Sequence, residues 1–178
     1  DLFKKIYTSG DIGTKYINSK IHGETYFHLG PEKDHDLLEN IAKLDGLERI
    51  RYTSPHPQDV TDQLLYVMSK YDNISNYVHL PLQAGSNKIL KRMNRTYSKE
   101  HFITLALKIK EILPNVGIST DIIVGFPGES EDDFNETLNV MNEIKFDSAF
   151  NFKYSSRRGT KASEYDDQIP ENIKQDRL

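Results

Sequence analysis

The sequence predicts an α/β domain built on a parallel sheet with right-handed crossovers. Four strand-like segments, Leu47–Thr53, Tyr77–Leu82, Gly117–Val124 and Ser148–Tyr154, are separated from one another by amphipathic helical patterns. Strands that alternate with helices pair in parallel. Each segment also ends in structure-stopping or polar residues: Ser54-Pro55-His56-Pro57, Gln83-Ala84-Gly85-Ser86, Gly125-Phe126-Pro127-Gly128 and Tyr154-Ser155. In a parallel sheet those ends share one rim, where ligands collect. An open doubly wound sheet and a section of a βα barrel both satisfy this pattern.

Residues 1–33 carry the least regular pattern, although Phe3–Thr8 and Glu24–Leu29 each read as a short strand. His22, His28 and His35 are scattered without ligand spacing, which favours ordinary surface or hydrogen-bonded histidines. Asp34 can cap a helix bearing Leu37, Leu38, Ile41 and Ala42, which Gly46 closes. Two prolines in Ser54–Pro57 pin the next loop. A helix at about Asp59–Tyr71 follows, with Val60, Leu64, Val67, Met68 and Tyr71 inward. After the second strand come a short helix, Asn87–Met93, and a longer one capped by Ser98. The latter turns Phe102, Leu105, Ala106, Ile109 and Ile112 inward before Pro114 breaks it. Ser130-x-x-Asp133 has the form of a capping box and opens a helix bearing Phe134, Leu138, Met141 and Ile144. The last strand alternates Ala149, Asn151 and Lys153 with Phe150, Phe152 and Tyr154. Beyond it the chain is polar, with a helix starting at Pro170 as its first residue.

A chain of 178 residues is one domain or a large part of one. With 37% hydrophobic and 28% charged residues it is globular and soluble in profile. No apolar run approaches the roughly 18 residues of a membrane span, and the N-terminus lacks the apolar core of a signal peptide. A cytoplasmic protein is expected. The lack of an initiator Met and the abrupt end at Asp176-Arg177-Leu178 suggest a fragment. There is no cysteine, which excludes disulfides and thiolate-held zinc or iron–sulfur ligation within this chain. A net charge of −4 and a pI near 5.9 give no global footprint for nucleic acid. Lys88, Lys91, Arg92 and Arg95 form a local basic cluster. Neither GxGxxG nor GxxxxGK[ST] is present.

The chain is organised around Gly117–Glu129, GISTDIIVGFPGE, a strand with an embedded carboxylate, Asp121, followed by a Gly/Pro turn and a helix start. The rim as a whole offers an amide (Gln83), a hydroxyl (Ser86), a carboxylate (Asp121), close-approach backbone at Gly125 and two aromatics (Phe152 and Tyr154). That set suits a ligand with a flat ring, hydroxyls and a charged tail, and contains no recognisable catalytic pair. His56 is a candidate general acid or base, with a pairing to Asp121 open in space, against a histidine that stiffens a Pro-flanked loop. Arg95 can grip a carboxylate with two parallel bonds where a lysine would not, against a solvated arginine near a helix end. A metal-dependent hydrolase would need more ligands than His56, His79 and Asp121 supply.

Several of these stretches carry a family resemblance. They are Arg51-Tyr52-Thr53-Ser54-Pro55-His56-Pro57, His79-Leu80-Pro81-Leu82-Gln83-Ala84-Gly85-Ser86, Met93-Asn94-Arg95-Thr96-Tyr97 and Ser119–Glu129. Together they resemble the radical S-adenosylmethionine methylthiotransferases, most closely the tRNA-modifying, MiaB-like branch. Phe146–Phe150 and Phe152–Ser155 fall in the same order. The resemblance spans about residues 37–178, and residues 1–36 match poorly. It implies a partial TIM barrel of which this chain holds the later βα units, without the N-terminal cluster domain or the C-terminal tRNA-binding module. It also implies a transferase that places a methylthio group at C2 of N6-isopentenyladenosine beside the tRNA anticodon. The cofactors implied are S-adenosylmethionine and 4Fe-4S clusters held by cysteines that this chain lacks, so the chain alone is expected to be inactive. The partners implied are tRNA and the missing domains of the same enzyme, with no membrane.

Carried onto matching positions, the cofactor site draws on Gln83, Ser86, Arg95, Asp121, Val124, Gly125, Phe152 and Tyr154. Arg95 would pair with the methionyl carboxylate, and Asp121, Gln83 or Ser86 would bond the ribose or the amine. Backbone at Val124 and Gly125 would frame the adenine with Phe152 or Tyr154. No catalytic residue and no metal ligand is assigned. The ribosomal-protein branch of the family is an alternative; it typically shows Asp-Ile-Pro-Leu-Gln-His where this chain has His79–Ala84, and Glu-Glu-Gly-Thr where it has Arg157–Thr160. A non-catalytic barrel that lost its cluster is another alternative. Ser156, Arg158 and Lys161 replace prolines common in the family. Missing strands would leave an open sheet edge, so marginal stability or self-association is expected.

Overall fold

The computed structural model describes residues 27–28, 35–52 and 56–178. The strand expected at Phe3–Thr8, His22 and the Thr53-Ser54-Pro55 part of the first loop lie outside the described residues. Among the described residues five strands, β1 (Phe27–His28), β2 (Arg51–Tyr52), β3 (Tyr77–His79), β4 (Gly117–Val124) and β5 (Ser148–Lys153), pair in parallel. Between them run α1 (His35–Ala42), α2 (Asp62–Lys70), α3 (Asn87–Arg92), α4 (Lys99–Ile112) and α5 (Glu131–Ile144), and α6 (Glu171–Arg177) follows β5. None of the described helices is long and apolar enough to cross a membrane.

Pairing follows chain order. β1 lies beside β2, and β4 lies between β3 and β5. The two groups join where Ile50 donates its N–H to Asn73 O at 2.7 Å and accepts from Ser75 N at 2.8 Å. A doubly wound sheet reverses its strand order at a switch point, and no reversal occurs among the described strands. Sequential order with right-handed crossovers places every crossover helix on one face. The geometry is that of a barrel section, and α1 packs on α2, α2 on α4 and α4 on α5 around its outside. Under these helices lie Val78, Ile118, Ile122 and Val124 from the strands and Leu80 and Leu82 from the segment after β3, with Leu65, Phe102, Ile109 and Ile144 from the helices, all buried.

The helix starts are where side chains cap free N–H groups. Thr61 Oγ1 accepts from Leu64 N at 3.1 Å, and Ser98 Oγ accepts from His101 N at 3.2 Å. At α5 the expected capping box forms in full, with Ser130 Oγ accepting from Asp133 N and Asp133 Oδ2 accepting from Ser130 N. Pro170 is the N-cap of α6 rather than its first helical residue. β3 stops at His79, short of the expected Leu82, because Pro81 has no N–H and Leu82 N donates to Thr120 Oγ1 instead of to the ladder. Pairing resumes at Gln83, which bonds Asp121 O and Ile123 N on β4.

The inward face of α5 also differs from expectation. Asp133, Thr137, Val140 and Ile144 point inward, and Leu138 is 39% exposed. The reason is a polar latch. Thr137 Oγ1 accepts the Gly85 N–H at 2.8 Å, and Asp133 receives Ser86 Oγ at 2.6 Å and Lys88 Nζ at 2.6 Å. Buried polar groups must find partners, so the helix turns its polar residues to the Ala84–Ser86 loop and its leucine outward. In α2, Leu65 is fully buried where the pattern pointed to Leu64, which is half-buried.

Two outcomes follow from the latch. A Cβ at Gly85 would lie 2.4 Å from Thr137 Cα and 2.7 Å from Glu136 O, so Gly85→Ala must push the loop off α5. It should cost about 3 kcal/mol in denaturant unfolding, with Gly46→Ala, where a Cβ meets nothing, showing only the smaller cost of its backbone conformation. Burial alone would raise the Asp133 carboxyl, but hydrogen bonds from Lys88, Ser86 and Ser130 outweigh it and hold it well below its ordinary value of 3.8. A depressed folded-state value gives stability that is full above the unfolded value and is lost as pH falls below it. Asp133→Asn should therefore cost about 2 kcal/mol at neutral pH and flatten the acid limb of a stability–pH curve.

Candidate functional site

Alternation along the strands sends the residues between the core positions to the face away from the helices. Register sets His79 beside Ser119, Asp121 beside Phe150 and Ile123 beside Phe152. On this face the side chains form a connected row. The Tyr77 hydroxyl hydrogen-bonds Ser119 Oγ, Ser119 Oγ lies 2.7 Å from His79 Nδ1, and His79 Nε2 lies 3.0 Å from Asp121 Oδ2. Phe150 stands with its ring centroid 6.0 Å from that of His79. Phe150 and Phe152 are 52% and 53% exposed, which leaves two adjacent aromatic rings open beside a carboxylate. The connectivity is that of a serine–histidine–carboxylate relay. Ser119, however, is fully buried and its hydroxyl is engaged on both sides, so no nucleophile is presented.

His56 takes another part. Its Nδ1 accepts from Gln58 N at 3.3 Å, capping the 3₁₀ turn Pro57–Asp59, and its ring meets Tyr97 edge-on at 5.4 Å. Asp121 takes His79 as its histidine partner, not His56. His28 lies on β1 and His35 on α1. Among the described residues no three His, Asp or Glu side chains converge as metal ligands.

The rim begins where β4 ends. Gly125 adopts φ +70°, a left-handed conformation that an L side chain resists, and takes the chain out of the sheet. Its N–H donates to Glu129 Oε2 at 2.7 Å, and Arg177 Nη1 reaches the same oxygen at 2.8 Å. Burial pushes the Glu129 carboxyl up, against the pull of the Gly125 N–H and of Arg177. Lys174 packs against Gly125 so closely that a Cβ there would lie 2.4 Å from its Cγ. The loop is thereby braced from behind by α6. Tyr154 pairs its N–H with Val124 O at 2.8 Å and meets Phe126 edge-on at 5.0 Å, so its ring belongs to the loop's support while Phe152 remains open.

Gln83 sits in the left-handed region at φ +68°. Its backbone bonds to Asp121 and Ile123 fix it beside them at the end of β3. Tyr97, in the connection between α3 and α4, donates its hydroxyl to Pro81 O (3.1 Å) and Leu82 O (3.0 Å). Burial pushes that hydroxyl up to about 12, with nearby Arg95 pulling the other way. Tyr97 thus ties the connection carrying Arg95 to the strand end carrying Gln83. Arg95 Nε is buried and has no hydrogen-bond partner among the described residues.

Of the residues singled out in the sequence, Gln83, Asp121, Val124, Gly125, Phe152 and Tyr154 lie on two neighbouring strand ends and the strand between. Ser86 stands apart from the open face, buried with its hydroxyl given to Asp133. Arg95 is brought to this end of the sheet by Tyr97. The sequence reading missed Tyr77, His79, Ser119 and Phe150 as members of one row. Their signal was the two-residue spacing of Tyr77 and His79, Ser119 and Asp121, and Phe150 and Phe152, legible only once the register is known.

This set of groups suits a ligand with a flat ring, hydroxyls and a charged tail. Asp121 Oδ1 receives no bond and Arg95 Nε finds no acceptor among the described residues, and the open rings offer a stacking surface. An iron–sulfur cluster does not fit this chain, because no thiolate is present to ligate it.

A family model described as the radical SAM superfamily matches residues 21–141. The tRNA-2-methylthio-N(6)-dimethylallyladenosine synthase of Clostridium tetani is 50% identical over 143 residues, 80% of this chain and 32% of that protein. The synthase of the same name from Alkaliphilus oremlandii is 43% identical over 183 residues, 100% of this chain and 38% of that protein. The chain therefore spans about a third of the length of these relatives. Among solved structures, coproporphyrinogen III oxidase of Escherichia coli superposes with a TM-score of 0.63 at 19% identity, covering 81% of this chain and 35% of that one. That likeness bears on the fold alone and agrees with the sequential parallel sheet. The match over residues 21–141, more than half of the sequence, establishes the family: the chain belongs to the radical SAM superfamily.

Proposed function

We propose that this chain is the S-adenosylmethionine-binding section of a tRNA 2-methylthio-N6-dimethylallyladenosine synthase. The observation that carries the reading is the 50% identity over 143 residues to a protein of that name. S-adenosylmethionine would supply a 5′-deoxyadenosyl radical and its methyl group to the whole enzyme. The residues here bind and orient it. Arg95 holds the methionyl carboxylate, and Asp121 with Gln83 accepts from ribose hydroxyls or the amine. Ser86 serves through the latch that holds its loop, since its hydroxyl is already given to Asp133. Backbone at Val124 and Gly125 approaches the adenine, and Phe152 stacks on it from the open face with Tyr154 supporting the loop behind. No step passes through a cluster on this chain. Cluster chemistry, tRNA binding and turnover belong to the whole protein, which would work in the cytoplasm.

Equilibrium dialysis of S-adenosylmethionine against the chain tests the site. Arg95→Ala should weaken binding roughly 10–100-fold, as expected for loss of a charged hydrogen-bonded pair; unchanged affinity would remove Arg95 from the site. Grafting residues 36–178 in place of the matching segment of the Clostridium tetani synthase tests the activity. Methylthiolated adenosine in digested tRNA supports the reading. A graft that folds and loads its cofactors yet leaves tRNA unmodified sinks it.

A further inference from the structure

The row Tyr77–Ser119–His79–Asp121 is not explained by cofactor binding through Asp121 alone. A carboxylate on an open sheet face would ordinarily sample several rotamers and present either oxygen to solvent. Here Oδ2 is committed to His79 Nε2 at 3.0 Å, and no described residue bonds Oδ1. A carboxylate only accepts, so Nε2 must carry a proton. In the neutral imidazole Nδ1 is then an acceptor, and the Ser119 hydroxyl donates to it with Oγ 2.7 Å away. The Ser119 oxygen in turn accepts from the Tyr77 hydroxyl. One tautomer and one set of hydroxyl directions satisfy all four groups. The anchor of the row, Ser119, is fully buried, while its far end, Asp121, is 30% exposed at the side chain. Order is thus passed from buried Ser119 outward to Asp121 Oδ1, which no described residue bonds.

We propose that His79, anchored through Ser119 to Tyr77, is the positioning residue that aims Asp121 Oδ1 at the ribose hydroxyls of the bound adenosyl group. The inference rests on the reading that this face binds that group. His79 touches no ligand in this scheme. It acts by removing rotamers that Asp121 would otherwise lose on binding, and a Ser119 or Tyr77 substitution acts through His79 in turn.

The test compares two probes on the same protein, adenosine and 2′,3′-dideoxyadenosine, titrated by NMR against the full 178-residue chain and its variants. The unaltered chain should bind adenosine more tightly than the dideoxy compound, and Asp121→Asn should narrow that gap. His79→Ala should weaken adenosine about tenfold and leave the dideoxy compound unchanged. His79→Gln, which keeps an N–H donor near the Nε2 position, should restore most of the difference. Ser119→Ala, a second variant should His79→Ala fail to fold, should move adenosine alone in the same direction. Equal loss for both probes would make the row merely structural and overturn the inference. So would unaltered adenosine binding in His79→Ala, or a parent chain blind to the hydroxyls; either leaves the nucleoside reading standing. No binding of either probe to the parent chain would overturn both.

Discussion

A strand with one face under helices and the other open allows no choice about where alternate side chains go, and β4 imposes that constraint on the whole molecule. Ile118, Ile122 and Val124 must face the helices, with Thr120 among them, buried and bonded to Leu82 N. Ser119, Asp121 and Ile123 must then face the other way. Because β3 and β5 pair with β4 in parallel, His79 is carried to Ser119 and Phe150 to Asp121. A shift of one residue would bury Asp121 under α4 and α5 and expose Ile122. The cost of burying an unpaired carboxylate forbids it, so the hydrophobic core and the polar row enforce the same register.

The loops at the carboxyl ends of the strands are irregular, yet each is held by named contacts from outside the site. The Ala84–Ser86 loop is latched by Thr137 and Asp133 of α5. The Gly125–Glu129 loop is braced by Lys174 and Arg177 of α6. The connection carrying Arg95 is tied to Pro81 and Leu82 by Tyr97. Buried backbone donors at such ends would otherwise lack partners, and side chains from later helices supply them. The rim is therefore assembled by residues distant in sequence from those that would contact a ligand, and the open rings of Phe150 and Phe152 are what the supports leave uncovered.

Much of the fold was legible because it depends on local chemistry. Ser98 and Ser130 mark helix starts through their hydroxyls, Pro114 lies just past the end of α4, and the β-branched run before Gly125 can only be a strand. The errors came where tertiary partners override a hydrophobic pattern. Leu138 looked like core by spacing, but Asp133 and Thr137 claimed the inward face for the loop across from them. Tyr77–Leu82 looked like one strand, but Pro81 breaks the ladder and Thr120 collects the displaced N–H. His56 was open either to pairing with Asp121 or to stiffening its Pro-flanked loop, and its cap on the 3₁₀ turn is the second of these.

By itself the sequence determined the alternation of strands and helices, the parallel class, the strand-end motifs and the absence of any thiolate, since these are properties of residue type and local spacing. The residue pattern alone left a doubly wound sheet and a barrel section both open; the family resemblance implied the barrel, and the tertiary structure shows it, because strand order is a matter of which distant segments exchange hydrogen bonds. Only the tertiary structure decided that His79 rather than His56 holds Asp121, and that Ser86 turns away to α5. Those outcomes depend on register and on competition for buried hydrogen-bond partners, and neither is written in any one stretch of chain.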